Sequence, residues 1–168
     1  VDSRTEALLH ITHARAFAAI RDKPAAAKAL LAAENSLTRG GDQQPSFSLV
    51  SGPAAGTVAS HTARTLTDLG DHVGTERQHR AALIRWDAEK YRRVHALTYA
   101  DLGDSVEAQA RADEAVAIWG RALDLMEGMT SDRTRKAISS IRPRLAVCRR
   151  RGVPGAVDLE RRVREALT

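Results

Sequence analysis

Three stretches of this chain repeat one spacing of small and bulky residues, and that spacing admits few folds. Each begins with a small residue, Ala14, Ala63 or Gly103, followed three positions on by Phe17, Leu66 or Val106. Further along come Ala26, Thr75 and Ala115, then Leu30, His79 and Trp119, then Ala33, Ala82 and Ala122, at the same internal intervals in all three. In the third copy Tyr99, Leu102, Gly103 and Val106 fall at i, i+3, i+4 and i+7, which is one face of a helix. Small residues set opposite bulky ones let two antiparallel helices approach closely, as in a helical hairpin. Chance makes three such matches improbable, so the chain reads as a repeat.

The expected fold is all-α: stacked antiparallel helical hairpins over about residues 5–37, 54–86 and 90–127, then capping helices at about 131–149 and 154–167, in one domain spanning 1–168. The first helix reads as Thr5 to Ile20, with Leu9, Phe17 and Ile20 apolar and Ala14 and Ala18 allowing close approach. Pro24 suits the opening of the second. The irregular stretch 40–53 contains Phe47, Leu49 and Val50, which should pack on the body. A long helix from Glu89 to Ala108 runs through Gly103; the rival reading ends it at Gly103-Asp104. Ser131 or Asp132 caps a helix with Ile138, Ile141, Leu145 and Cys148 inward, which Pro143 should bend. Pro154 opens the last helix, which carries Val157, Arg161, Arg164 and Leu167.

Composition agrees. Only six aromatic residues occur in 168, and no alternating strand pattern persists. A single cysteine, Cys148, allows no internal disulfide, so a reducing, cytoplasmic setting is expected. No apolar run approaches the length of a membrane span, and no signal peptide is visible. Charge is uneven: residues 130–168 hold eleven Arg/Lys against four Asp/Glu. A basic end invites a nucleic-acid reading, but without interleaved aromatics it offers affinity for phosphate and no reading of sequence. The start at Val1 suggests a fragment of something longer.

The small–bulky–small pattern resembles tetratricopeptide-type repeats, with copies 49 and 40 residues apart (Ala14 to Ala63, Ala63 to Gly103) in place of the usual ~34. The ending SDRTRKAISSIRPRLAVCRRRGVPGAVDLERRVREAL is similar to the finish of the tetratricopeptide-like region of actinobacterial helix-turn-helix regulators of the XRE type. That resemblance implies an upstream DNA-reading domain, and repeats that sense a peptide or small molecule or mediate dimerisation. The residues here include no such domain. TLTDLGDHVGTERQHRAAL has a helix–turn–helix outline, but the repeat register accounts for it through Ala63, Leu66 and Ala82.

Repeat arrays of this sort bind extended ligands along their first helices. The position after each small residue should point there: Arg15, Arg64 and Asp104, with Thr67 and Glu107 one turn further on. Arg15 and Arg64 could hold a carboxylate, such as a peptide terminus, or they could be solvated or ion-paired. His10 and His13 lie at i, i+3 on the expected packing side of the first hairpin and lack a third ligand at a set spacing, so no metal or cofactor is expected. His79 takes a core position. No Ser/His/Asp set or phosphate-cradling glycine loop can be picked out, so no catalytic residues are assigned. Two readings stay open. One is the ligand-sensing module of a transcription regulator, a homodimer in one form and meeting DNA only through an upstream domain. The other is a free-standing adaptor for a protein partner.

Overall fold

The computed structural model describes residues 2–40 and 53–167, and among these the chain is helical with no strand. Eight helices follow in order: α1 (Ser3–Ala19), α2 (Lys23–Gly40), α3 (Ala54–Leu69), α4 (His72–Arg85), α5 (Arg92–Glu107), α6 (Ala112–Met126), α7 (Asp132–Arg150) and α8 (Ala156–Ala166). They pair as hairpins α1/α2, α3/α4 and α5/α6, and α7 packs with α8. Chain contacts gather in two compact units, 1–86 and 87–168. Phe47, Leu49 and Val50 lie outside the described residues.

In the first unit the repeat register is also the burial register. Ala14, Ala26, Ala33, Ala63 and Ala82 have no exposed surface, and Thr75 and His79 are buried beside them. Alanines at these places let α1 approach α2 and α3, and Ile11, Val58, Phe17, Leu30 and Leu37 fill the space around them. α1 starts at Ser3, earlier than Thr5, because the Asp2 carboxylate accepts from the backbone N–H of Arg4 and Thr5, both at 3.1 Å. Its inward face is Ala7, Ile11, Ala14 and Ala18, while Leu9 and Ile20, expected as part of its apolar face, are exposed. Close packing selected the small stripe over the large residues. α2 opens one residue before Pro24. Buried Ser36 and exposed Arg39 of α2 both donate to Glu6 of α1, at 3.1 and 2.6 Å, and tie the hairpin's open end.

In the second unit α5 runs through Gly103 to Glu107, so the long-helix reading holds at this end. Its start falls at Arg92, later than Glu89, because Asp87 closes a turn: its carboxylate accepts from Lys90 N–H at 2.7 Å and its carbonyl from Tyr91 N–H. Trp119 of α6 is fully buried against Gly103, with Ala115 and Ala122 on either side along its helix. Ser131 caps α7, and Ile138, Ile141, Leu145 and Cys148 face inward as the spacing predicts. Pro143 lies inside α7 without ending it; Pro143 and Ser139, whose carbonyl loses a partner, are both exposed to water. α8 departs from expectation. It starts at Ala156, beyond Pro154, and buries Ala156, Leu159 and Val163, leaving Val157 exposed. A glycine at positive φ, Gly155, sets that start.

Candidate functional site

Arg15 and Arg64 sit at equivalent positions of the packed helices α1 and α3, one residue past a fully buried alanine, and both are exposed. Between them stands His61, one helical turn before Arg64 and half-buried. The Arg15 guanidinium lies 3.4 Å from His61 Nδ1. A guanidinium can only donate, so Nδ1 must carry a lone pair and the ring is the neutral Nε2–H tautomer. Burial, with Arg15 and then Arg64 close by, lowers the proton affinity of His61 below the usual histidine value. Among the described residues neither Arg15 nor Arg64 has an ion pair with a carboxylate. Two guanidinia therefore act on one imidazole, with no carboxylate among the described residues paired to either.

A second histidine stands near. His79 of α4 is 3% exposed, and its Nδ1 has no hydrogen-bond partner among the described residues. Burial, with a smaller contribution from Arg64, pushes it down to about 4, so it is neutral at physiological pH. Thr67, on the same helix as Arg64, is exposed; its hydroxyl donates to Ala63 O at 3.0 Å and lies 3.3 Å from the Thr75 hydroxyl. Its polar capacity is largely spent within the hairpin.

The two acidic members of the expected ligand-binding set have a different setting. Asp104 accepts the indole N–H of Trp119 at 3.1 Å and lies 3.5 Å from Arg144 of α7. Glu107 accepts from Arg144 at 2.8 Å. Both carboxylates are half-buried, and one arginine from the cap holds them to the body of the unit. Burial raises Asp104 to about 6 despite Arg144. The structure thus brings Arg15 and Arg64 to one surface in the first unit and makes Asp104 and Glu107 a tie between α5 and α7 in the second.

Other sequence-level candidates resolve simply. His13 is exposed and His10 half-buried, so neither packs inward as the repeat frame suggested. Among the described residues no group of three or more His, Cys, Asp or Glu could hold a metal ion, and no helix is long and apolar enough to cross a membrane. Cys148 is buried, which raises its thiol above the usual value and keeps it protonated. Within the basic end, Arg149 pairs with Glu160, Arg161 with Asp158 and Glu165, and Arg162 with Asp124. Of these carboxylates only Asp124 lies outside 130–168, so the pairs order the segment and leave most of its excess charge in place.

Sequence reasoning missed His61 and Arg144. His61 has no counterpart in the repeat, since Thr12 and Asp101 occupy its register. Arg144 meets its partners across 37 residues or more, which no local pattern encodes. No family model matches the chain, no curated protein matches it, and no solved structure matches it.

Proposed function

We propose that this chain is a non-catalytic, tetratricopeptide-like sensing module of a transcription regulator, which binds a peptide or small molecule on the surface of its first helices. The observation that carries the reading is the pair Arg15 and Arg64: cationic, exposed, at equivalent places on adjacent helices, and without an acidic partner among the described residues. Structural arginines in the same chain, such as Arg144 and Arg149, lean on carboxylates. The resemblance of the ending to that of XRE-type regulators supplies the regulatory context. Contact with DNA would come through an upstream domain, and dimerisation is part of the same reading.

The test is made on the product of the complete reading frame. Promoter binding that changes when a cell-extract metabolite or peptide fraction is added, and that loses this response with Arg15→Gln plus Arg64→Gln, is the expected result. A native product lacking a DNA-reading segment would end the regulator reading. It would favour the adaptor, for which the exposed Val73 and Ile84 of α4 offer an apolar contact.

A further inference from the structure

Resting on the sensing reading above, we propose that Arg15, His61 and Arg64 form an oxyanion site that takes a carboxylate or phosphate group of the ligand and that His61 gains a proton as the anion binds.

Without a ligand the three groups are poorly matched to one another. Two positive charges flank a ring that is obliged to stay neutral, and Arg15 spends a donor on an imidazole lone pair at 3.4 Å. That bond is long and its acceptor uncharged; an oxyanion is the better acceptor for a planar guanidinium fork. The charged or titratable groups around His61 are Arg15 from α1, Arg64 on its own helix and, through Arg64, buried His79 from α4. No charge from α2 acts on either imidazole among the described residues. The charges that act on His61 are therefore both positive, one from α1 and one from its own helix, and no carboxylate among the described residues pairs with either.

An anion placed between the guanidinia reverses the field at His61. Arg15 turns its donors to the anion and releases Nδ1. The freed lone pair takes a proton from solvent, and the new N–H donates to an anion oxygen. No bond between heavy atoms changes: an N–H bond forms on the ring and a hydronium or buffer acid gives up its proton, up to one for each anion bound. By linkage, whatever makes His61 hold a proton more tightly must also make binding tighter as pH falls through the ordinary histidine range. His61 is the positioning and coupling group, and the two arginines carry the charge.

The test uses the 168-residue chain, with inorganic phosphate and succinate as separate probes at constant ionic strength. His61 ring resonances are followed by NMR, and proton uptake is measured by calorimetry in two buffers of different ionisation heat. A saturable His61 shift is expected. Affinity should fall about tenfold or more in Arg15→Gln plus Arg64→Gln, as charge-assisted bonds are lost, with the helical circular dichroism unchanged. His61→Gln should keep part of the affinity and remove the protein's share of the proton uptake. Saturation by phosphate alone assigns a phosphate-bearing ligand, and saturation by succinate a carboxylate. A linear, unsaturable shift, an undiminished affinity in the double variant, or proton uptake unchanged by His61→Gln would overturn the site. If the site fails this test while promoter binding still responds to a cell fraction, the sensing reading survives without it. If the site passes and promoter binding never responds, the site stands and the sensing reading falls.

Discussion

Each compact unit lays one tryptophan on one glycine, and the two arrive from different places in the chain. Trp119 occupies the bulky position of the repeat, inside α6, and covers Gly103 at the small position of α5. Its indole N–H donates to Asp104, the next residue. Trp86 lies just past the end of α4 with an extended backbone, at the register where the other hairpins carry Leu37 and Met126, and covers Gly56 in the first turns of α3. Its indole N–H donates to Ser60 at 3.3 Å. Both rings are large apolar bodies with one satisfied polar handle. The difference is in what holds them. Trp119 is held inside a helix pair, whereas Trp86 stands at a helix end and meets α3 at Gly56 and Ser60.

The largest expected effect follows from that difference. Trp119→Ala empties a fully buried seam that α5 and α6 cannot close, at a cost of ~3–5 kcal/mol. Trp86→Ala should cost less, because Trp86 stands at a helix end and keeps some exposed surface. Hydrogen-exchange mass spectrometry resolves the two, since protection should drop in 87–168 for the first variant and in 1–86 for the second. Equal losses would break the distinction between a repeat tryptophan and a terminal one.

That distinction was half legible in the sequence. The repeat register named Ala14, Ala33, Ala63, Gly103, Ala115 and Trp119 as packing positions because helix–helix approach imposes fixed intervals on residue size. It also put His79 in the core. The same reasoning misassigned Leu9 and Ile20, where hydrophobicity was read without knowing which stripe of the helix was small enough to approach a neighbour. Trp86 shares its register with Leu37 and Met126, four residues past Ala33, Ala82 and Ala122, a position one step beyond the intervals compared in the sequence. For the candidate site, Arg15 and Arg64 followed from register, but His61 did not, because its role arises from a contact between α1 and α3. Asp104 and Glu107 were placed on a ligand surface because their partner, Arg144, is remote in sequence.

Acid should separate the two units next. His79, buried and held down at about 4, binds its proton more weakly folded than unfolded. As pH falls below 6.5 the unfolded state takes the proton first, so the first unit loses stability down to about pH 4, by on the order of 2–3 kcal/mol. His61 adds in the same direction. Asp104 is raised to about 6, so in the second unit the folded state binds the proton first. Its effect is stabilising as pH falls from about 6 toward 3.8, and smaller because solvent reaches the carboxyl. Unit-resolved exchange at pH 7 and pH 5 checks both signs. His79→Leu, which supplies the residue that the first hairpin carries at this register, should abolish the acid sensitivity of 1–86 attributable to that ring. A uniform loss across both units would show that general charge repulsion governs instead.

A methyl group at either glycine sharpens the tryptophan comparison at lower cost. In Gly103→Ala the added carbon would collide with Cδ1 and Nε1 of an indole that cannot move between two helices. Overpacking of this kind costs ~1–3 kcal/mol, partly offset by about 1 kcal/mol of helix propensity. In Gly56→Ala the added carbon would lie 2.9 Å from Trp86 Nε1, tight but against a ring at a helix end. There the shift and the propensity gain should nearly cancel. Urea midpoints with the local tryptophan as fluorescent probe measure both, and a cost at Gly56 equal to that at Gly103 would mean Trp86 is as firmly held as Trp119.

The smallest effect concerns the three hairpin turns, which share a conformation but not a residue. Each places a residue at positive φ seven positions past the small residue of the repeat: Arg21 at 58°, Gly70 at 80° and Ala110 at 63°. Only the middle hairpin uses the residue that tolerates this region without steric cost. Ala110→Gly and Arg21→Gly should therefore raise stability, each by up to ~1 kcal/mol, since relief of strain exceeds the added entropy of the unfolded chain. Gly70→Ala should lower it by a similar amount. The gain should appear at Ala110 more cleanly than at Arg21, because methyl to hydrogen removes little else. A loss at Ala110 would mean that its backbone is held left-handed without strain, by Ala110 N–H donating to Glu107 O at 2.8 Å and Arg111 N–H to Val106 O. The three turns would then be alike in energy as well as in shape, and the middle glycine would confer no advantage.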